Sequence, residues 1–148
     1  MIAEQFANVR NKSTLIHNIT NYVTVNDCAN MVLAAGASPI MADAPEEVRE
    51  ITALSRALCL SLGTPNPRKA DAMFLAGRKA AELGLPVVFD PVGVGASAYR
   101  QEIARKLLQD IPLTVLRCNA SELQTLSGQS LVSRGVDAGK APERETLL

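Results

Sequence analysis

The chain of 148 residues is long enough to form a hydrophobic core, and its 15 basic and 15 acidic side chains give a formal net charge of zero. A chain without net charge has no broad electrostatic field that would attract nucleic acid or an anionic membrane surface. Because only 3% of its residues are aromatic and none is Trp, few rings are available for stacking on nucleobases. The composition therefore favours a small-molecule ligand and argues against nucleic acid or membrane as a partner.

The N-terminal sequence and the cysteines indicate a cytoplasmic protein. The first ten residues, MIAEQFANVR, lack the basic start and apolar stretch of a signal peptide, and no apolar run approaches the length of a transmembrane helix. Cys28, Cys59 and Cys118 are odd in number and lie far apart, outside any C-x-x-C pair. We therefore expect buried, free thiols and neither a disulfide framework nor a zinc site.

Short apolar runs alternate with longer segments of helical periodicity, which is typical of an α/β fold with parallel βαβ units. The predicted strands are residues 14–18, 39–41, 57–62, 86–90 and 114–119. The predicted helices are residues 23–35, 45–54, 66–83, 96–109 and a segment that begins at residue 119.

Several predicted helices carry signals for their packing or their ends. Residues 23–35 have one apolar stripe at three- and four-residue spacing, which predicts a packed helix. Residues 45–54 place Glu46 in the first turn, where the helix dipole favours negative charge. Asn66 is a candidate cap for the helix that follows it, and Gly84 is expected to end that helix.

The composition changes after Leu126, where a polar stretch begins. Residues 142–148, PERETLL, predict the first turns of a helix led by Pro142. The last two leucines of this segment have no evident apolar partner in the chain. We therefore expect residues 1–148 to form a single incomplete domain.

Ligands of open parallel sheets bind beyond the carboxyl ends of the strands, so the polar residues at those ends are candidate site residues. Asp90 ends a predicted strand and precedes a Gly-containing turn. Its carboxylate could hold Mg²⁺, because hard cations prefer oxygen ligands, or it could brace the turn. A nucleotide-dependent redox function would depend on Gly93 and Gly95 alone, and these lack the full G-x-G-x-x-G spacing.

The segment RCNASE, residues 117–122, lies at the junction between the last predicted strand and the helix after it. It combines the cation of Arg117, the amide of Asn119 and the carboxylate of Glu122, a group that can manage phosphate charge and a metal together. Asn119 followed three residues later by Glu122 is also a capping-box pattern. The sequence leaves both roles open.

Two earlier strand ends carry further candidates. Asn21 could orient a small polar ligand through its amide. His17 is expected to be structural, because no second His and no paired nucleophile accompany it. Met41 ends the second predicted strand, where its thioether could contact a flat ring or fill the core.

Four segments in chain order, HNITNYV (17–23), GASPIM (36–41), DPVGVGA (90–96) and RCNASE (117–122), resemble the hydroxyethylthiazole kinase family. The resemblance spans nearly the whole chain. Its N-x-x-E element, residues 119–122, is shared by the wider ribokinase-like group, whereas the first two segments are more specific to the thiazole kinases. The resemblance implies a three-layer ribokinase-like α/β fold with a mainly parallel sheet flanked by helices.

The resemblance also implies an activity, which is transfer of the γ-phosphoryl group of ATP to the hydroxyl of 4-methyl-5-(2-hydroxyethyl)thiazole, here called the thiazole alcohol, in thiamine salvage. Mg²⁺ would be required, and the complete protein would be a homotrimer. By position, Asn21, Val23 and Met41 would line the thiazole pocket at a subunit boundary. Asp90 and Glu122 would organise the metal and its waters around the phosphates.

Carried over in the same way, Arg117 would lie against the ATP phosphates, and Asn119 would position Glu122. The chain departs from the family at Cys118, where Gly is usual, and in its length. In the family a later Gly-rich helix N-terminus supplies the oxyanion-binding amides and the catalytic base. We therefore assign no catalytic residue and expect these 148 residues alone to be inactive or nearly so. The alternatives are a kinase for another small alcohol and a non-catalytic substrate-binding or assembly fragment.

Overall fold

The structure is a computed structural model and describes residues 2–12 and 14–128. Within them the helices are α1 (Ile2–Asn11), α2 (Val25–Ala34), α3 (Val48–Leu54), α4 (Pro67–Leu83), α5 (Ala98–Asp110) and α6 (Ala120–Leu126). The strands are β1 (Leu15–Ile19), β2 (Ser38–Met41), β3 (Ala57–Ser61), β4 (Val87–Asp90) and β5 (Val115–Leu116). A short 3-10 helix, Val94–Ala96, precedes α5. The predicted helix led by Pro142 lies outside the described residues.

The strands form one sheet in the order β2-β1-β3-β4-β5, and every neighbouring pair is parallel. The predicted α/β class with a parallel sheet is therefore confirmed. Because all the strands run in the same direction, their carboxyl ends meet at one edge, called the carboxyl edge below. The last residues of the strands at this edge are Ile19, Met41, Ser61, Asp90 and Leu116.

The hydrophobic core lies on one face of the sheet, against α3, α4 and α5. Alternate residues of β3 and β4 point to this face, because successive side chains of a strand alternate between the two faces. The helix α4 is rich in Ala on its buried side, which allows it to lie close to the sheet. The largest buried apolar side chains of the core include Leu58, Leu60, Phe89, Met73 and Leu107.

The helix α2 lies over the opposite face of the sheet, so helices flank both faces. None of its residues is buried, which corrects the expectation of a packed helix. The predicted apolar stripe exists, but its members Val25, Cys28 and Val32 are only half-buried, and Leu33 is 56% exposed. The reason is the place of the helix, which contacts β2, the edge strand of the sheet, while a cavity lies between it and the strands β1, β3 and β4.

The predicted ends of α4 are confirmed, while those of α3 and the last strand are not. Asn66 Oδ1 accepts a hydrogen bond from the backbone N of Lys69 at 2.9 Å, and Gly84 ends α4 in the left-handed region with φ of 64°. The helix α3 begins only at Val48. Glu46 therefore lies before this helix, and its carboxylate pairs with Arg68 at 2.7 Å. The last strand, β5, is also shorter than predicted, and among the described residues it pairs with β4 alone.

The helix α1 was not predicted, although Ile2, Phe6 and Val9 have the spacing of one helical face. Within the part of the chain that the structure describes, no helix has the length and apolar character that crossing a membrane requires.

Candidate functional site

The carboxyl edge brings Asp90 and Arg117 together from the neighbouring strands β4 and β5. Arg117 Nη1 donates a hydrogen bond to Asp90 Oδ2 at 2.9 Å. The other carboxylate oxygen, Oδ1, is buried and has no hydrogen-bond partner among the described residues. Desolvation raises the pKa of Asp90, and the charge of Arg117 only partly opposes this effect. An unpaired buried oxygen of this kind is costly, and a bound cation would relieve the cost.

Glu122 lies at the same edge, in the first turn of α6, and is 8% exposed. Its Oε2 accepts a hydrogen bond from Asn119 N at 3.0 Å, while Asn119 Oδ1 accepts one from Glu122 N at 2.9 Å. The capping box that the sequence left open is therefore present. Glu122 Oε1 accepts a hydrogen bond from Gly93 N at 3.0 Å, so the same carboxylate also binds the turn after β4.

Asp90 and Glu122 are close enough for the charge of Glu122 to raise the pKa of Asp90. Their oxygens are not equally available, however. Both oxygens of Glu122 accept backbone hydrogen bonds, whereas Asp90 keeps Oδ1 without a partner among the described residues. Asp90 is thus the carboxylate best placed to contact a ligand directly.

A cavity of about 460 Å³ opens between α2 and the strands β1, β3 and β4. Three of the residues singled out in the sequence, Asn21, Asp90 and Arg117, line it. Apolar and sulfur-containing side chains, among them Met31 and Cys28, line it as well. Met31 was not predicted to line a site, although it lies three residues after Cys28 and hence on the same side of α2.

Asn21 lies in the loop between β1 and α2. Its Oδ1 accepts hydrogen bonds from Thr24 N at 2.9 Å and from Thr24 Oγ1 at 3.1 Å. These bonds fix the orientation of the amide. Its Nδ2 makes no hydrogen bond within the described part of the chain and is a potential donor, and the residue lines the cavity.

Met41 and Val23 occupy different surroundings. Met41 is half-buried and lines a neighbouring cavity of about 70 Å³. The two cavities share Asn18 and Thr20, so they lie side by side along the carboxyl edge. Val23 is 81% exposed and lines neither cavity. The structure therefore groups Asn21 and Met41 along one edge and leaves Val23 on the surface.

His17 is fully buried and has the structural role expected from the sequence. Its Nε2 lies 2.8 Å from the carbonyl oxygen of Ala42 and its Nδ1 lies 2.9 Å from Thr52 Oγ1. Because a carbonyl oxygen can only accept, Nε2 carries the proton in this arrangement. Burial lowers the pKa of His17, which favours the neutral ring.

The cysteines Cys28, Cys59 and Cys118 are free, as predicted, but they are half-buried and not fully buried. Burial raises the pKa of Cys118, and the nearby charge of Glu122 raises it further. A thiol with a raised pKa stays protonated at neutral pH and is a poor nucleophile. Cys118 therefore contributes bulk to this edge and no evident chemistry.

The described residues contain no cluster of three or more His, Cys, Asp or Glu side chains that could hold a metal ion. Mg²⁺ does not need such a cluster, because it is commonly held by one or two carboxylates together with water and substrate phosphates. The buried Oδ1 of Asp90, to which no group in the described part of the chain donates, fits this mode of binding.

Comparison with known proteins gives consistent matches. The sequence model of the Hydroxyethylthiazole kinase family matches residues 6–147. A protein named hydroxyethylthiazole kinase from Ruminiclostridium cellulolyticum is 53% identical over 140 residues, which cover 95% of this chain and 51% of that protein. A protein of the same name from Clostridium tetani is 54% identical over 130 residues, which cover 88% of this chain and 47% of that protein.

A solved structure described as hydroxyethylthiazole kinase from Pyrococcus horikoshii OT3 shares the fold, with a TM-score of 0.82 and 41% sequence identity. The match covers 86% of this chain and 50% of that chain. The chain spans about half the length of the curated relatives it matches. Since the family model covers most of its residues and these relatives share more than half of the aligned positions, the chain belongs to the hydroxyethylthiazole kinase family.

Proposed function

We propose that this chain provides the alcohol-binding and magnesium side of a cytoplasmic kinase that transfers the γ-phosphoryl group of ATP to the thiazole alcohol. The observation that carries the proposal is the buried Oδ1 of Asp90, which has no hydrogen-bond partner within the described residues. Asp90 lies beside Arg117, in a cavity that Asn21 also lines. The names of the relatives support the choice of the alcohol.

Asp90 is the residue that would hold Mg²⁺, through Oδ1 directly or through water. When bound, the ion would neutralise charge on the ATP phosphates. Glu122 keeps the turn after β4 in place through Gly93 N and adds negative charge that favours a cation nearby. In this proposal Glu122 organises the water shell of the metal and does not give up its backbone hydrogen bonds.

Arg117 is the proposed phosphate contact. Its side chain is 73% exposed and lines the cavity, so its guanidinium can reach a ligand without unfolding any element. Its bond to Asp90 Oδ2 can be exchanged for bonds to phosphate oxygens, which the planar guanidinium binds in pairs. This exchange would leave Asp90 free to pair with the metal.

The thiazole alcohol would lie along the part of the edge that Asn21 and Met41 line. Asn21 offers an oriented amide donor, and the thioether of Met41 can contact a sulfur-containing ring. Val23, being 81% exposed, would contact the ring only where a second subunit completes the pocket, which is consistent with a homotrimer. Phosphoryl transfer depends mainly on alignment and charge neutralisation, which these residues supply.

Calorimetry and turnover assays test the proposal. We expect saturable binding of the thiazole alcohol, and of ATP only when Mg²⁺ is present. In the protein expressed from its natural gene, we expect phosphorylation of the thiazole alcohol in preference to the pyrimidine alcohol of the same vitamin or a sugar. A strong preference for another alcohol would contradict the proposal. Saturable thiazole binding without any turnover would instead identify a substrate-binding fragment.

A further inference from the structure

Lys69 reaches from the first turn of α4 to the carboxyl edge and is 1% exposed. Its Nζ donates hydrogen bonds to the carbonyl oxygen of Thr20 at 2.7 Å and to that of Gly63 at 2.6 Å. Thr20 belongs to the loop after β1 and Gly63 to the loop after β3. Among the described residues no carboxylate lies within ion-pair distance of Nζ, so this cation is bound by backbone carbonyl oxygens alone.

Arg100 makes a second connection of the same kind. Its Nη1 donates to the carbonyl oxygen of Leu62 at 2.9 Å and to that of Val92 at 2.7 Å. Leu62 precedes Gly63, and Val92 lies in the turn that follows Asp90. Two cations therefore connect three successive loops of the carboxyl edge, which are those after β1, β3 and β4.

The loops after β1 and β3 are also in direct contact at Asn21. A Cβ atom placed on Gly63 would lie 2.6 Å from Asn21 Cβ, which is closer than real side chains approach. Gly63 is thus needed for Asn21 to lie where it does. Lys69 binds the carbonyl oxygen of this same glycine. The ammonium therefore fixes the residue against which Asn21 packs.

We propose that Lys69 is a positioning residue, which fixes Asn21 relative to Asp90 by binding the loops after β1 and β3 and so aligns the alcohol with the metal-bound phosphates. The inference deepens the proposed function and depends on it. Its chemical basis is that three ammonium hydrogens can serve two carbonyl oxygens at once, and Arg100 extends the connection to the turn after Asp90.

The energetics of Lys69 support a role in the site over a role in stability. Burial lowers the pKa of Lys69 to about 8, and the charge of Arg100 adds to this effect while that of Asp43 opposes it. A third cavity, separate from the two described above, lies beside Lys69. It is lined by Tyr22, Asp43 and Arg68. A buried lysine without a carboxylate partner disfavours folding, and lowered lysine pKa values of this kind cluster at functional sites.

The lowered pKa predicts opposite effects of pH on stability and on binding. Above pH 8 the folded chain releases this proton, while the unfolded chain keeps it until its ordinary pKa of 10.5. The contribution of Lys69 to the free energy of unfolding therefore rises with pH between about 8 and 10.5. The neutral amine has one hydrogen fewer and no charge, so its hold on Thr20 and Gly63 weakens in the same range. Affinity for the thiazole alcohol should fall as stability rises.

The test compares thiazole-alcohol binding by calorimetry with urea unfolding, using the full chain and the variants Lys69→Met, Lys69→Arg and Lys106→Met. We expect Lys69→Met to bind about tenfold more weakly, since two loop contacts are lost. Its urea midpoint should not fall, because relief from burying the ammonium offsets the loss of a donor to the carbonyl oxygens of Thr20 and Gly63. Lys69→Arg, which retains donors for both carbonyls, should recover part of the affinity. Lys106, whose side chain is 58% exposed and pairs with Glu102, is the matched control and should change neither quantity.

The pH profile of the unmodified chain provides a test that needs no variant to fold. We expect affinity for the thiazole alcohol to fall with a midpoint near the Lys69 pKa of about 8. Cys28→Ser, which changes another side chain that lines the cavity, should keep the same midpoint.

The outcomes separate the two proposals. A flat pH profile, or unchanged affinity in Lys69→Met, would overturn the positioning role while leaving the proposed function standing. Absence of thiazole-alcohol binding in the unmodified chain would overturn the proposed function, and with it the role of Lys69.

Discussion

Asp90→Asn is expected to reduce phosphorylation of the thiazole alcohol about 100- to 1,000-fold in the protein expressed from its natural gene, with little loss of stability. The substitution keeps the shape of the side chain but removes the charge of the Oδ1 that we propose for Mg²⁺. Stability should change little, because burial raises the pKa of Asp90 and the fold thus disfavours its ionised form. Steady-state turnover at saturating ATP and Mg²⁺, together with thermal unfolding, measures both effects.

Asp110→Asn is the matched control for this substitution. Asp110 is a half-exposed carboxylate at the end of α5 that pairs with Arg78 of α4 at 2.9 Å, and it lines neither of the two cavities at the carboxyl edge. Surface pairs of this kind contribute little to stability, so turnover and unfolding should both remain close to those of the unmodified protein. If Asp90→Asn retained turnover as well as Asp110→Asn does, Asp90 would not be the metal-binding carboxylate.

Glu122→Ala is expected to lower the free energy of unfolding by about 2–5 kcal/mol, because it leaves one buried and one part-buried backbone donor without an acceptor. These donors are Gly93 N and Asn119 N, each 3.0 Å from a carboxylate oxygen of Glu122. Glu122→Gln keeps one acceptor oxygen and should therefore lose about half as much. Urea unfolding followed by circular dichroism measures the difference.

Glu102→Gln serves as the control for Glu122, since Glu102 is 62% exposed and pairs only with Lys106 among the described residues. Its effect should stay within about 0.5 kcal/mol. Equal stability of Glu122→Ala and Glu102→Gln would show that the capping box and the bond to Gly93 contribute nothing measurable. Because Gly93 lies in the turn after Asp90, weaker Mg²⁺-dependent ATP binding should accompany the loss of stability.

The features that the sequence predicted correctly depend on local chemistry. Apolar strands, the Asn66 cap, the Gly84 stop and the capping box of Asn119 and Glu122 each need residues that are near one another in the chain. The strand ends could be grouped because parallel strands bring their carboxyl ends to one edge. For this reason Asn21 and Asp90, almost seventy residues apart by number, were expected near each other and do line one cavity.

The features that the sequence did not predict depend on neighbours in space. The carbonyl oxygens that bind Lys69 are 49 and 6 residues away, and a backbone carbonyl has no side chain to mark it. Whether the apolar stripe of α2 becomes buried depends on its place over the edge strand β2, which periodicity does not reveal. The same applies to Val23, whose exposure of 81% is not marked by its neighbours in the sequence.

Paramagnetic broadening by Mn²⁺ in the presence of ATP tests most directly whether Asp90 holds a cation at the carboxyl edge. Mn²⁺ shares the oxygen ligands of Mg²⁺ and broadens the amide signals of nearby residues. We expect the amides of Asp90, Val92 and Gly93 to broaden first, and Asp90→Asn to abolish the effect. Equal broadening in Asp90→Asn, or broadening centred on the acidic segment around Glu46 and Glu50, would contradict a cation site at Asp90.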